Sequence, residues 1–200
     1  MVKIDETTQQ VLEKISGGFV QKGAYNLRQN GIALCHGDSE HIKIKKKTDK
    51  PGIDIFIDGE TQGEKVFIPV VLSVSGMTDL VYNDFYVAYG ADVTIVAGCG
   101  IHNSCCNESR HDGIHTFHVG KHANVRYEEK HYGEGNGSGA RILNPVTNIE
   151  IGEGSVFTLD TAQIKCVDST IRNTNVEMDA DSKLFVLERL MTDGEPKAES

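Results

Sequence analysis

Apolar and polar residues follow two different periods along this chain. Near the amino terminus, three apolar residues share one helical face: Val11, Leu12 and Ile15. A capping box that begins at Thr7 and a glycine stop at Gly17 flank them. The pattern predicts a helix over residues 7–16.

After this helix, short runs of alternating apolar and polar residues replace the helical period. The runs cover residues 53–57, 66–72, 93–97, 114–119, 125–129, 156–164 and 184–190. The 21 glycines lie largely between these runs, at positions where turns require positive φ. The chain is therefore predicted to be mainly β-strand.

A six-residue pattern recurs in the second half of the chain: a small or turn residue, Ala or Ser, any, apolar, any, apolar. Its copies start at Gly90, His122, Gly154 and Asp181, at spacings of 122 − 90 = 32, 154 − 122 = 32 and 181 − 154 = 27 residues. Each period holds about two strands and no helix, so a unit must stack on its neighbours to bury its apolar face. The repeat predicts a parallel β-helix. An antiparallel sandwich is the alternative, but the Asp-Gly and Asn-Gly pairs do not track the repeat.

Charge and hydropathy limit the possible partners and location of the protein. Lys and Arg total 20 against 29 acidic residues, a net charge of −9, which argues against nucleic acid or an anionic membrane as the main partner. The lysines of residues 41–47 fit a solvated strand edge. The amino terminus lacks the apolar core of a secretory signal, and no window approaches the ~18 apolar residues of a membrane span. A cytoplasmic protein is expected.

Several blocks resemble the short SufB/SufD-type proteins that accompany a cognate ATPase. The blocks are residues 49–54 (DKPGID), 79–84 (DLVYND), 111–115 (HDGIH), 129–135 (EKHYGEG), 141–145 (RILNP) and 167–170 (VDST). The resemblance implies an all-β, right-handed parallel β-helix. It also implies a non-catalytic role in iron–sulfur cluster assembly, together with a SufC-like ABC ATPase and a SufB/SufD-type partner or a second copy of the chain.

This resemblance divides the chain into an N-terminal helical segment, 1–22, and a β-helix, 23–200. The similar proteins continue past residues 197–200 through further coils into a helical tail on which the ATPase docks. The chain is therefore expected to lack these later coils, and its last coil to expose a stacking face that favours oligomers.

Cysteines supply the first group of candidate functional residues: Cys99, Cys105 and Cys106. Thiolates bind iron and accept sulfur as persulfides. Cys99 follows strand 93–97 between two glycines, which predicts a thiol at a coil edge. By resemblance it matches a cysteine that is a candidate sulfur acceptor for a transient iron–sulfur cluster, although a buried, unreactive thiol is the alternative. Cys105 and Cys106 lie in a predicted loop, and only one of them is expected to bind any one ion.

Histidines supply the second group, as candidate metal ligands: His102, His111 and His115. With His118 and an acidic group such as Glu128, they motivate an alternative function, a small cupin-like mononuclear metalloenzyme. His111 and His115 share a strand face that His118 does not, so a joint site would need a bend. The competing interpretation is that these histidines are solvated or hydrogen-bonded.

Overall fold

A computed structural model describes residues 4–19, 21–191 and 197–199 of this chain, the last three by their backbone only. Within these ranges one helix is followed by sixteen strands: α1 (Glu6–Ser16), β1 (Ala24–Gln29), β2 (Ile32–Gly37), β3 (Ile42–Lys46), β4 (Gly52–Ile57), β5 (Gln62–Leu72), β6 (Thr78–Val87), β7 (Asp92–His102), β8 (Ser109–Val119), β9 (Asn124–Glu134), β10 (Arg141–Leu143), β11 (Val146–Ile151), β12 (Val156–Lys165), β13 (Ser169–Ile171), β14 (Asn173–Met178), β15 (Lys183–Leu190) and β16 (Lys197–Glu199). The predicted all-β fold with a short N-terminal helix is confirmed.

The strands form two sheets that run along a solenoid of about four turns. The first sheet has the order β15-β12-β9-β7-β5-β1-β2, and the second has the order β16-β13-β10-β8-β6-β4-β3. Strand β11 pairs with β8 and β14, in parallel. Successive coils therefore stack in parallel, which confirms the predicted β-helix, while its right-handed sense stays a prediction.

The sequence repeat marks one corner of each coil. Its first residues, Gly90, His122, Gly154 and Asp181, all have positive φ, between 56° and 73°. The following strands are in register, so that Val93 pairs with Val125, Val125 with Phe157, and Phe157 with Leu184. The backbone N–H of His122 donates to the carbonyl oxygen of Glu153 in the next coil at 3.0 Å. The repeat is therefore the length of one coil.

The solenoid begins with two antiparallel pairs, β1 with β2 and β3 with β4. Within the described ranges, every other strand pairing is parallel. Strand β3 is the edge of the second sheet, where Ile42 and Ile44 are buried while Lys43 and Lys45 are exposed. The prediction of a solvated, lysine-rich strand edge is confirmed for Lys43, Lys45 and Lys46, but it is wrong for Lys47, which is buried and pairs with Asp54 and Asp84. The hairpins were not predicted.

Helix α1 packs on the outer face of the first sheet, against β5, β7 and β9. Asp5, rather than the predicted Thr7, caps the helix: its carboxylate accepts from the backbone N–H of Thr8 at 2.8 Å. Gly17 ends the helix with a φ of 69°, as predicted. No helix in the described ranges is long and apolar enough to cross a membrane.

Two glycines of β7 let the helix approach the sheet closely. A Cβ at Gly98 would lie 2.8 Å from Cβ of Ile15, and a Cβ at Gly100 would overlap Cγ1 of Val11. Both glycines face outward because Ala97, Cys99 and Ile101 are buried on the inner face of the same strand. The docked helix and the alternation of the strand together fix the direction in which Cys99 points.

An apolar core fills one part of the solenoid interior. Phe85 and Phe117 stack with ring centroids 4.3 Å apart, and Phe117 meets Phe157 edge to face. Tyr127 packs against the same rings. Beyond these rings, the buried side chains become polar, and this change marks the candidate site.

Candidate functional site

Polar and ionisable side chains line the solenoid interior next to the aromatic rings. We call this set the interior cluster, and its members are Asp79, Cys99, His111, His115, Glu129, His131 and Arg172. All are at least nine-tenths buried. They come from both sheets and from the link between β13 and β14, so the coil brings together residues that are distant in sequence.

Strand register brings the central members together. Cys99 of β7 pairs with His131 of β9, and Glu129 precedes His131 by two residues, so all three side chains point inward. One ligand atom from each residue lies within 4.8 Å of the other two. Among the described residues, this is the one group of three such side chains that could hold a metal ion.

Cys99 is only 5% exposed and contacts both apolar and polar neighbours. It belongs to an apolar cluster with Val70 and Ile101, while its sulfur also faces Glu129 and His131. Burial, together with the charges of Glu129 and Asp79, raises the pKa of the Cys99 thiol well above its usual value of 9.0. The prediction of a thiol at the coil edge is wrong, because the flanking glycines admit helix α1 on the opposite face.

Glu129 is a buried carboxylate with several partners. Burial alone would raise its pKa, but the charges of Arg172 and the neighbouring imidazoles outweigh burial and hold the pKa well below 4.5. Nη1 of Arg172 donates to Oε2 at 2.7 Å, and the hydroxyl of Tyr127 donates to Oε1 at 2.9 Å. Glu129 is therefore an anion at neutral pH, and Arg172 compensates its charge.

His115 and His131 are neutral bases in the solenoid interior. Burial lowers the pKa of His115 to about 4 and also lowers the pKa of His131. Nδ1 of His131 is buried without a hydrogen-bond partner, and Nε2 lies 3.6 Å from Oε2 of Glu129, beyond hydrogen-bond reach. A neutral imidazole with a free nitrogen can accept a proton or bind a metal ion.

His111 and His115 enter the interior from β8 on either side of Gly113. A Cβ at Gly113 would lie 2.9 Å from Nε2 of His115 and 3.5 Å from Nε2 of His111, so both nitrogens approach the same space. Nδ1 of His111 faces Oδ2 of Asp79 at 3.1 Å, and Nε2 has no partner. The shared face predicted for these two histidines is confirmed.

Asp79 anchors the other end of the interior cluster. Arg28 holds its carboxylate in a two-point contact at 2.8 and 2.6 Å. Burial would raise the pKa of Asp79, but Arg28 and His111 outweigh burial and lower the pKa well below 3.8. The interior cluster therefore has a paired anion at each end, with the thiol and the imidazoles between them.

The remaining histidines lie outside the solenoid. Nδ1 of His102 faces Glu134 at 3.1 Å, and Nδ1 of His118 faces Glu150 at 2.6 Å. The predicted metal ligands His102, His111 and His115 therefore do not form one site, because the inward and outward positions of the strands separate them. Glu128 also faces outward, where it accepts from Arg126.

Cys105 and Cys106 lie in the loop that joins β7 to β8, as predicted. The loop stacks on its counterpart in the next coil, where Gly139 donates its N–H to the carbonyl oxygen of Cys105 at 3.0 Å. Cys105 is half-buried and Cys106 is exposed. Neither thiol joins the group of Cys99, Glu129 and His131, so the three candidate cysteines do not form one ligand set.

Sequence reasoning missed Glu129, His131 and Arg172 as functional candidates. The sequence repeat could have identified Glu129 and His131. Residue 131 follows Cys99 by one 32-residue period (99 + 32 = 131) and therefore lies next to it in the adjoining coil. Glu129 then follows from the inward spacing of two residues along β9. Arg172 carries no such signal, since it lies within the interval from 154 to 181, where the spacing between copies shortens to 27 residues.

The fold and the cluster define a class of protein: a parallel β-solenoid with an ionisable, thiol-containing interior. No family model matches the chain, and no match was found among curated proteins.

Proposed function

We propose that this chain is a scaffold or accessory subunit of SufB/SufD type in iron–sulfur cluster assembly, with Cys99 as the sulfur acceptor. The observation that carries the proposal is the position of Cys99, a thiol inside a parallel β-helix beside Glu129 and His131. The sequence blocks that resemble SufB/SufD-type proteins support it. In this proposal the chain assembles its cargo and carries out no turnover of its own.

Sulfur arrives at Cys99 by exchange with a donor persulfide. The Cys99 thiolate attacks the terminal sulfur of the donor, a new S–S bond forms, the donor S–S bond breaks, and the donor leaves as a thiolate. His131, whose neutral imidazole lies close to the thiol, takes the Cys99 proton and passes it to the leaving thiolate. Atoms and electrons balance without an external oxidant.

Because the Cys99 thiol is buried, sulfur transfer to it requires the coil to open. Because Cys99 is 5% exposed, a protein-bound donor reaches it only when the coil opens. In the proposal, a SufC-like ATPase drives this opening, and the transferred sulfur joins iron in a nascent iron–sulfur cluster that is cargo.

The proposed partner is a SufB/SufD-type protein or a second copy. Strand β15 is the edge of the first sheet in the described part of the chain, and its apolar side chains are open to solvent, including Val186 at 59% and Leu190 at 47%. Such an edge favours pairing with another strand.

Two experiments test the function. A cysteine desulfurase with its cysteine substrate is mixed with the chain, and mass spectrometry of the digested protein locates any added sulfur atom. Anaerobic reconstitution with ferrous iron and sulfide then measures thiolate-to-iron absorption. Both signals are expected to disappear in Cys99→Ser and to survive in the control Cys35→Ser. Signals that are unchanged in Cys99→Ser would exclude Cys99 as the acceptor.

The alternative, a cupin-like mononuclear metalloenzyme, retains one supporting observation. The Nε2 atoms of His111 and His115 approach the same buried space, although His102 and His118 face outward. The coils are parallel, whereas cupins are antiparallel double-sheet folds. A stable one-to-one metal ion that is lost in both His111→Ala and His115→Ala would favour the enzyme over the scaffold.

A further inference from the structure

We propose that Cys99, Glu129 and His131 form a binding site for one divalent metal ion of borderline softness, of the class of Zn²⁺ or Fe²⁺. The site goes beyond the scaffold function and does not depend on it. It also differs from the histidine set of the metalloenzyme alternative, because two of its three ligands lie on β9 and the third on β7.

The donor types suit such an ion. Thiolate sulfur, imidazole nitrogen and carboxylate oxygen are the three ligand types that zinc takes in proteins. Three protein ligands leave a fourth tetrahedral position free for an outside ligand, which is the pattern of reactive rather than purely structural zinc sites. The hard ions Mg²⁺ and Ca²⁺ prefer oxygen ligands and are not expected to bind.

The distances between the three ligand atoms also suit a divalent ion. Ligand atoms at about 2.0 to 2.3 Å from a tetrahedral ion lie roughly 3.5 Å apart. Oε2 of Glu129 and Nε2 of His131 are already 3.6 Å apart, too far for a hydrogen bond. All three ligand atoms lie within 4.8 Å of one another, so an ion needs a contraction of the group by about 1 Å.

Unused bonding capacity points to a missing ligand. Nδ1 of His131 is buried without a hydrogen-bond partner, and Nε2 lies 3.6 Å from Oε2 of Glu129. A buried polar atom without a partner is costly and calls for an explanation such as an ion. Each carboxylate oxygen of Glu129 accepts one bond, from Tyr127 or Arg172, and retains a second lone pair.

The charges fit a divalent ion. In the absence of an ion, Arg172 balances Glu129 and the thiol is neutral. Binding replaces the thiol proton with the ion; the thiolate and Glu129 then offset its two charges, and Glu188, which accepts from Nε of Arg172 at 3.1 Å, offsets the guanidinium. A ligating cysteine is a thiolate, so binding of the ion displaces the thiol proton. Released protons are therefore a direct measure of thiolate ligation.

The test uses the full chain with Zn²⁺ and with Co²⁺, in the absence of iron and sulfide. We expect one Zn²⁺ per chain after dialysis, release of about one proton per ion, and a thiolate-to-cobalt charge-transfer band with tetrahedral d–d bands. Cys99→Ser and His131→Gln are expected to weaken binding by more than about 100-fold, because loss of mere outer-shell partners already costs about 10- to 100-fold.

The matched control is His118→Gln, which alters a histidine–glutamate pair on the outer face and should leave affinity and spectrum unchanged. Should Cys99→Ser or His131→Gln fail to fold, as circular dichroism would show, a variant with Cys35, Cys105, Cys106 and Cys166 replaced by Ser decides the matter without altering the site. Loss of the thiolate-to-cobalt band in that variant overturns the site, and its retention supports it.

Affinity that is unchanged in folded Cys99→Ser and His131→Gln also overturns the site. Failure of the chain to bind the metal ion is distinguishable from failure of the scaffold function, since the persulfide experiment contains no added metal. Zinc binding without sulfur acceptance leaves the site in place and removes the assembly role. Sulfur acceptance without zinc binding removes the metal site and leaves the assembly role in place.

Discussion

Cys99 lies directly opposite His131 in the parallel register of β7 and β9, one 32-residue repeat away along the chain. Neighbouring parallel strands are about 4.8 Å apart, so an inward thiol and an inward imidazole must be neighbours. The position of Glu129, two residues before His131, adds a carboxylate to the pair. A regular stacking period thereby places three metal-binding side chain types in one buried volume.

The first prediction concerns the glycines beneath helix α1. Gly100→Ala should destabilise the protein by about 1 to 3 kcal/mol, because the new methyl group overlaps Val11 and forces the helix away from β7. Urea denaturation measures the change. In a Val11→Ala background the same substitution should cost less, since the smaller side chain makes room. Equal costs in both backgrounds would contradict the proposed packing.

The second prediction concerns the buried ion pair. Arg172→Met should cost about 3 to 5 kcal/mol at pH 7, because it leaves the Glu129 carboxylate buried without its cation. Lys121→Met is the matched control: Lys121 pairs with Glu153 at the surface, where both side chains are about half exposed, and its loss should cost at most about 1 kcal/mol. Chemical denaturation of both variants gives the comparison.

The destabilisation caused by Arg172→Met should also depend on pH. The pKa of Glu129 is depressed in the folded state, so its contribution to stability is complete above the unfolded value near 4.5 and is lost as pH falls through the folded pKa. The difference between wild type and Arg172→Met should therefore shrink below pH 4.5. A difference that stays constant down to the acid limit of folding would show that the pair is not ionised.

The third prediction concerns His115. Its pKa is about 4 when folded and 6.5 when unfolded, so only the unfolded state binds the proton between these values. Stability should fall as pH drops from about 6.5 to 4, by about 3 kcal/mol from this residue. His115→Gln removes that part of the slope, whereas His118→Gln on the outer face retains it. An NMR titration of the His115 ring with a midpoint above pH 6 would contradict the prediction.

The fourth prediction concerns the open edge of β15. Val186 continues the inward row of Leu159, while Phe185 continues the outward row of Thr158. The wild-type chain should self-associate with rising concentration, as size-exclusion chromatography with light scattering would show. Val186→Lys should favour the monomer because it places a charge on the stacking face, and Phe185→Lys should have little effect. A wild-type protein that stays monomeric at high concentration would contradict this prediction.

Local pattern predicted much of the fold. The apolar spacing of Val11 and Ile15 identified the helix, and the copies at Gly90 and His122 gave the length of a coil. The antiparallel hairpins at β1–β2 and β3–β4 escaped prediction, because alternation alone does not distinguish a parallel neighbour from an antiparallel one. The cap at Asp5 was missed because Asp5 and Thr7, two residues apart, both offer a capping side chain.

The sequence by itself determined the strand-rich character of this protein, its coil length and the presence of thiols and imidazoles between residues 99 and 118. Only the tertiary structure decided which of them meet. It turned Cys99 inward, because Gly98 and Gly100 receive helix α1 on the other face, and it separated Cys99 from Cys105 and Cys106. The tertiary structure also placed Arg172 against Glu129. Contacts across the interior of a solenoid depend on how the coils stack, and the residue spacing within a single strand does not determine them.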